Sequence, residues 1–198
     1  MVRTLLLTNL VSPFIAPLLV LFFAVTTGCT TYPPSQASWV RRYGGMCAAD
    51  HRRPRLDALC DRLLQGHPHR SISVSVLASA KLGAFGWPDG RLYVTRGLVD
   101  ALDDDMLAAS VAHELGHLIL GGHLPSPVSL SGSPEDADEE MRADAVGVAL
   151  LEDRGFDPGS MARMLAQLRA ATASNPLIHH RLGERIDALR GRTAPRCQ

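Results

Sequence analysis

The chain has 198 residues, of which 46% are hydrophobic and 20% charged. That is ordinary globular composition with enough apolar side chains for one core, and it excludes a disordered or collagen-like chain. Lys+Arg and Asp+Glu are equal at 20 each, so charge supplies neither the basic excess of a nucleic-acid binder nor an acidic solvating tail, and no nucleic-acid partner is expected.

Residues 5–25 carry no charge and follow Arg3, the pattern of an export signal. Residues 1–28 are therefore expected to be a signal peptide; an uncleaved anchor is the alternative that this length allows, disfavoured by Pro13 and Pro17. Thr26-Thr27-Gly28-Cys29 follows and resembles the bacterial lipoprotein signal, in which a small residue precedes a Cys that is acylated. The resemblance implies lipidation of Cys29 and attachment to a membrane on the periplasmic face of a bacterial envelope. Thr30 stands where many inner-membrane lipoproteins have Asp, which implies the outer membrane. The alternative is a signal peptide cut nearby, with Cys29 an incidental thiol. Residues 29–38, rich in Pro, Ser and Thr, read as the tether, and 39–198 as the folded domain. Cys47, Cys60 and Cys197 cannot all pair with one another, and none has CxxC spacing. Cys47 and Cys60 flank a predicted helix start, where a disulfide would staple the N-terminal segment; three thiols are the alternative.

From Pro54 to Gly66 the apolar Leu56, Leu59, Leu63 and Leu64 recur at helical spacing. Residues 71–76 alternate polar and apolar, and Trp87-Pro88-Asp89-Gly90 separates two more β-like stretches, the second running from Arg91 to Thr95. A small antiparallel sheet is expected. Helical patterns then cover Leu98 to Leu102, and Met106 to Leu120 behind the N-cap candidates Asp103 to Asp105. Residues 121–133 read as a loop, followed by helices from Glu135 to about Asp153, Pro158 to Ala171 and His180 or later to Arg190. The class is α+β: a helix bundle beside a small sheet.

The chemistry lies in His113-Glu114-Leu115-Gly116-His117, an H-E-x-x-H inside the strongest predicted helix. Residues four apart share a helix face, so both imidazoles reach one ion with Glu114 beside them. Zinc in a catalytic site takes three protein ligands and keeps a position for water, whose proton a carboxylate then removes. The next helix offers Glu140 as third ligand, and Asp144 on the same face to accept the outer N–H of a ligand histidine, His113 foremost. One zinc ion per chain follows. His123 lies ten residues after His113, where metzincins place a third histidine, but Leu120 occupies the position at which that motif needs Gly. His51, His67 and His69 read as surface residues.

Several ordered motifs resemble the family 48 zinc metallopeptidases, the HtpX and prenyl-endopeptidase type within the gluzincins. They are Ala84-Phe85-x-x-Pro88-x-Gly90-x-Leu92-Tyr93-Val94-Thr95-x-Gly97-Leu98, the H-E-x-x-H helix, Glu140-x-x-Ala143-Asp144, Gly155-Phe156-Asp157-Pro158, and His179 six residues before Arg185-Ile186. The chain departs from the family pattern in Gly83, where Asn is usual, and in His179-His180, where His-Pro is usual. The resemblance implies a zincin-like fold in a compact envelope lipoprotein form. It implies an edge strand of Ala84, Phe85, Gly86 and Trp87 to which substrate adds, and oxyanion stabilisation by His179 and Arg185.

The activity so implied is zinc-dependent endoproteolysis of polypeptides in a bacterial envelope, with unfolded or misassembled proteins as substrates. A chaperone-like module with the peptidase fold and little turnover, and a zinc hydrolase of a non-peptide amide, are the alternatives. The 121–133 loop joins the two ligand-bearing helices, so it is placed either as a lid over the metal with His123 near the open position, or as an exposed connector.

Overall fold

The computed structural model describes residues 35–67, 72–121 and 134–193. The expected signal peptide, Cys29, His69, His123 with the remainder of its loop, and Cys197 lie outside the described residues.

Helix α1 (Gln36–Arg42) starts at Ser35, whose hydroxyl accepts the Ser38 N–H, so it takes in residues 36–38 of the stretch read as tether. Trp39 is its buried residue. Helix α2 (Arg53–Leu63) has Pro54 in its first turn, where a missing N–H costs nothing. Its Leu56, Leu59, Cys60 and Leu63 form one buried stripe. Cys47 and Cys60 are separate thiols, not the staple considered above. Cys60 sits inside the apolar core, and burial pushes its thiol up to about 12.

Strands β1 (Ser73–Leu77), β2 (Ala84–Trp87) and β3 (Arg91–Thr95) form one sheet in the order β1-β3-β2. The expected antiparallel sheet is corrected to a mixed one: β2 and β3 pair antiparallel, β1 and β3 parallel. The connection through residues 78–83 carries the chain past the position beside β1, and the tight turn at Gly90 (φ 82°) folds β3 back into the gap. Strand alternation sorts the side chains. Val74, Val76, Leu92 and Val94 enter the core beneath the helices. Leu77, Phe85, Trp87 and Tyr93 stand on the opposite face, under α1.

Thr95 caps helix α3 (Arg96–Ala101) by accepting the Leu98 N–H. Asp103 caps helix α4 (Asp104–Ile119) through Met106 N–H, at 2.8 Å. Helix α5 (Pro134–Asp153) stops at Gly155 (φ 68°), where the Phe156 N–H reaches back to Leu151 O at 2.9 Å. Helix α6 (Ser160–Ala171) and helix α7 (Pro176–Thr193) complete the bundle. The last helix was expected to begin at His180 or later; it begins at Pro176 because Asn175 accepts the Ile178 N–H and that proline is preset for a first turn. Among the described residues no helix is long and apolar enough to cross a membrane.

Helix α4 is the centre of the core, with Leu107, Ala108, Ala109, Val111, Ala112 and Leu115 fully buried. It approaches α5 closely because Gly116 has no side chain: a Cβ there would lie 2.5 Å from Ala143 O. That approach brings the fourth residue of one helical motif against the second helix's acidic face.

Candidate metal centre

His113 and His117, one turn apart on α4, are each 8% exposed. Their Nε2 atoms converge to 3.2 Å. Glu140, on the facing turn of α5, places Oε2 3.3 Å from His113 Nε2 and Oε1 3.4 Å from His117 Nε2. The two imidazole nitrogens thus face the two oxygens of one carboxylate, and one ligand atom from each of the three residues lies within 4.8 Å of the others. Tetrahedral zinc with bonds of about 2.0–2.1 Å requires ligand atoms about 3.3–3.4 Å apart. The donor set and its spacing therefore fit zinc.

Behind the ligand cluster, Asp144 is 1% exposed and its Oδ1 lies 2.9 Å from His113 Nδ1. This holds the ring with Nε2 toward the cluster. Arg185 comes from α7 and grips Asp144 with two hydrogen bonds of 2.7 Å, from Nε to Oδ2 and from Nη2 to Oδ1. Its Nη1 lies 2.7 Å from Glu140 Oε2. Burial opposes the charge on Asp144, but the Arg185 guanidinium outweighs it and holds the carboxyl down to about 2. Burial likewise opposes the charge on Glu140, yet the two histidines bring it well below the usual carboxylate range. For His113, burial favours the neutral ring; the hydrogen bonds to Asp144 and Glu140 win and raise it to about 10. The pair of carboxylates thus draws positive charge onto this spot.

Glu114 lies outside the ligand cluster. Its Oε2 accepts the Gly86 N–H at 2.7 Å, so the middle of β2 orients the carboxylate. Ala84, Phe85, Gly86 and Trp87 make up β2, and β2 is the outer strand of the sheet beside α4. At Gly86 a Cβ would sit 3.2 Å from Leu118 Cγ and 3.3 Å from Glu114 O, so the strand rests directly on the helix that carries the motif.

Arg185 was expected to face an oxyanion; its guanidinium faces Asp144 and Glu140 instead, where two carboxylates outcompete open solvent for its N–H groups. His179 is half-buried on α7, with Nδ1 3.2 Å from Arg169 O, and among the described residues no hydrogen bond or ion pair ties it to the ligand cluster. His180 is exposed, with Nδ1 3.4 Å from Glu184. Two contributions escaped the sequence reading: the Gly86 N–H on Glu114, and the Gly116 contact with Ala143 that sets the helix spacing. The available signal was small residues at 116 and 143 on facing helices.

Residues 50–133 match the model of Peptidase family M48. His113, Glu114 and His117 fall within that stretch; α1 precedes it, and Glu140, Asp144 and Arg185 follow it. The chain is 38% identical over 69 residues to a protease HtpX homolog of Methanothermobacter thermautotrophicus, covering 33% of this chain and 27% of that protein. It is 32% identical over 105 residues to a protease HtpX homolog of Salinibacter ruber, covering 51% of this chain and 38% of that protein. The chain thus spans less than two fifths of the length of these curated relatives.

Proposed function

We propose that the chain is a zinc-dependent metalloendopeptidase of peptidase family M48, whose model matches residues 50–133. The ligand cluster carries this reading: two histidine nitrogens and a glutamate carboxylate that converge closely enough to hold one metal ion. His113, His117 and Glu140 would hold the metal. When bound, zinc supplies Lewis acidity, polarising a scissile carbonyl and lowering the pKa of water. Glu114 takes the proton of the attacking water and passes it to the leaving amine. The Gly86 N–H fixes one oxygen of that carboxylate and leaves the other for proton transfer. Asp144 keeps His113 in the tautomer that presents Nε2. Arg185 is a positioning residue that holds Asp144 and Glu140 in place. The edge of β2 that does not pair with β3 receives the polypeptide as an added strand beside Glu114.

The place of action we propose is the bacterial cell envelope, with the chain lipid-anchored through Cys29 in the outer membrane and acting on unfolded or misassembled proteins. Residues 5–25 and the Thr-Thr-Gly-Cys sequence support this. Mass spectrometry of the mature N-terminus should find acylated Cys29; an unlipidated start elsewhere removes the anchor.

The activity is tested with the zinc-loaded protein and unfolded polypeptides. Cleavage that stops with chelator, and in Glu114→Gln with zinc still bound, is the expected result. Zinc retained stoichiometrically in a His113→Ala, Glu140→Ala double variant would refute the ligand assignment. Retention of unfolded protein without cleavage would instead support a chaperone-like module.

A further inference from the structure

Helix α1 precedes the segment matched by the family model, yet it packs against the strand that passes before Glu114. Trp39 and Tyr43 stack at 5.4 Å with their planes 4° apart. Phe85 of β2 meets both rings, at 5.0 Å and 4.6 Å. Gln36 fastens the helix to the turn after β2, its Nε2 donating to Asp89 Oδ2 at 3.1 Å. Between α1 and the sheet lies a shallow cleft lined by Trp39, Val40, Leu77, Phe85, Trp87 and Tyr93, without a charged side chain. Trp39 is 8% exposed, and its indole N–H has no acceptor among the described residues.

The pairing of β2 determines what reaches that cleft. The Thr95 N–H to Gly83 O and Gly90 N–H to Trp87 O bonds, both 2.9 Å, bracket the ladder with β3. By antiparallel alternation the backbone polar groups of Ala84 and Gly86 therefore point along the open edge, away from β3. In a strand added there, side chains opposite Phe85 and Trp87 project to the α1 face, and the side chain opposite Gly86 projects to the α4 face.

We propose that α1 and β2 form an apolar subsite selecting polypeptides with large hydrophobic side chains two residues apart, on either side of the residue opposite Gly86. This rests on the peptidase reading and names its substrate class. The occupant is an extended polypeptide because Phe85 and Trp87 of the outer strand themselves line the cleft, and Gly86 between them donates to Glu114. The segment matched by the M48 model supplies β2, and α1 lies before that segment.

The sequence holds two tryptophans, and both line the cleft, so intrinsic fluorescence reports it without reference to turnover. The full chain carrying Glu114→Gln and loaded with zinc is titrated with two Trp-free extended peptides, identical except for Leu-x-Leu or Ser-x-Ser. Cleavage of both is followed in the wild-type protein. The expected result is an emission change with the Leu peptide at about tenfold lower concentration, and about tenfold higher kcat/KM. In Trp87→Thr, and in Tyr43→Ser should the first variant unfold, the ratio should fall to within twofold. Equal response and equal cleavage of both peptides overturn the subsite and leave the peptidase reading standing. A Leu-selective emission change without cleavage of either peptide upholds the subsite and overturns the peptidase reading. Unchanged emission with both peptides overturns the subsite whether or not they are cut.

Discussion

Replacing Gly116 with Ala adds one methyl group at the point where α4 and α5 touch. The new Cβ would lie 2.5 Å from Ala143 O, 3.1 Å from its Cα and 3.2 Å from its carbonyl carbon. All three are backbone atoms, so no rotamer change relieves the clash, and the helices must part by roughly 0.7 Å in a close-packed interior. Overpacking of this kind costs about 1–3 kcal/mol. Helical Ala is favoured over Gly by about 1 kcal/mol, which leaves a net loss of about 0–2 kcal/mol and a midpoint lower by up to about 8 °C. The metal should suffer more than the fold. Ala143 lies three residues from Glu140 on the same helix, and the ligand contacts of 3.2, 3.3 and 3.4 Å tolerate about 0.2 Å of change. Zinc affinity is expected to fall about 10- to 100-fold. Chelator competition gives the affinity and thermal unfolding with and without zinc gives the stability. Wild-type values for both would refute the claim that Gly116 sets the spacing of the ligand cluster.

Arg185→Met should destabilise the metal-free protein by about 1–3 kcal/mol, because Asp144, 1% exposed, loses both guanidinium hydrogen bonds and keeps only His113; zinc should restore part of the loss, and calorimetry in both states checks it. Cys60 supplies a pH test. Burial raises its thiol from 9.0 to about 12 in the folded chain, so the unfolded chain loses its proton first and stability falls as pH rises from about 9 toward 12, by about 1.4 kcal/mol per pH unit at most. Thermal unfolding of wild type and Cys60→Ala at pH 8 and pH 10 should show the steeper decline in wild type. Arg62 stacks 3.8 Å over Phe156 and donates to Arg154 O at 2.8 Å. Arg62→Ala should cost about 1–2 kcal/mol while zinc affinity stays unchanged, as chelator competition would show.

Much of the site was written locally. H-E-x-x-H needs only the 3.6-residue period to put two imidazoles on one face, and Asp103, Thr95 and Gly155 mark helix ends through bonds spanning a few residues. The strand pattern of residues 71–76 and the hairpin at Gly90 were equally local, and the strands and turn appear close to where they were expected. Asp144 is four residues from Glu140, so a shared face followed from the sequence.

Other features depend on contacts between residues far apart in the chain, which no local period encodes. The parallel pairing of β1 with β3 depends on the path of residues 78–83. Only tertiary packing brings Gly86 N–H to Glu114 across 28 positions, or Arg185 to Asp144 across 41. An isolated Arg185 reads equally well as a donor to substrate or to protein, and the two buried carboxylates decide between them. Residues 36–38, rich in small polar types, looked like tether; the Ser35 cap and the burial of Trp39 against Phe85 make them helix. The sequence by itself singled out the residues whose chemistry suits holding a metal and moving a proton. Their convergence was decided by the close approach of α4 and α5 at Gly116, because contacts of 3.3 and 3.4 Å between side chains of two helices are a property of packing and not of spacing along the chain.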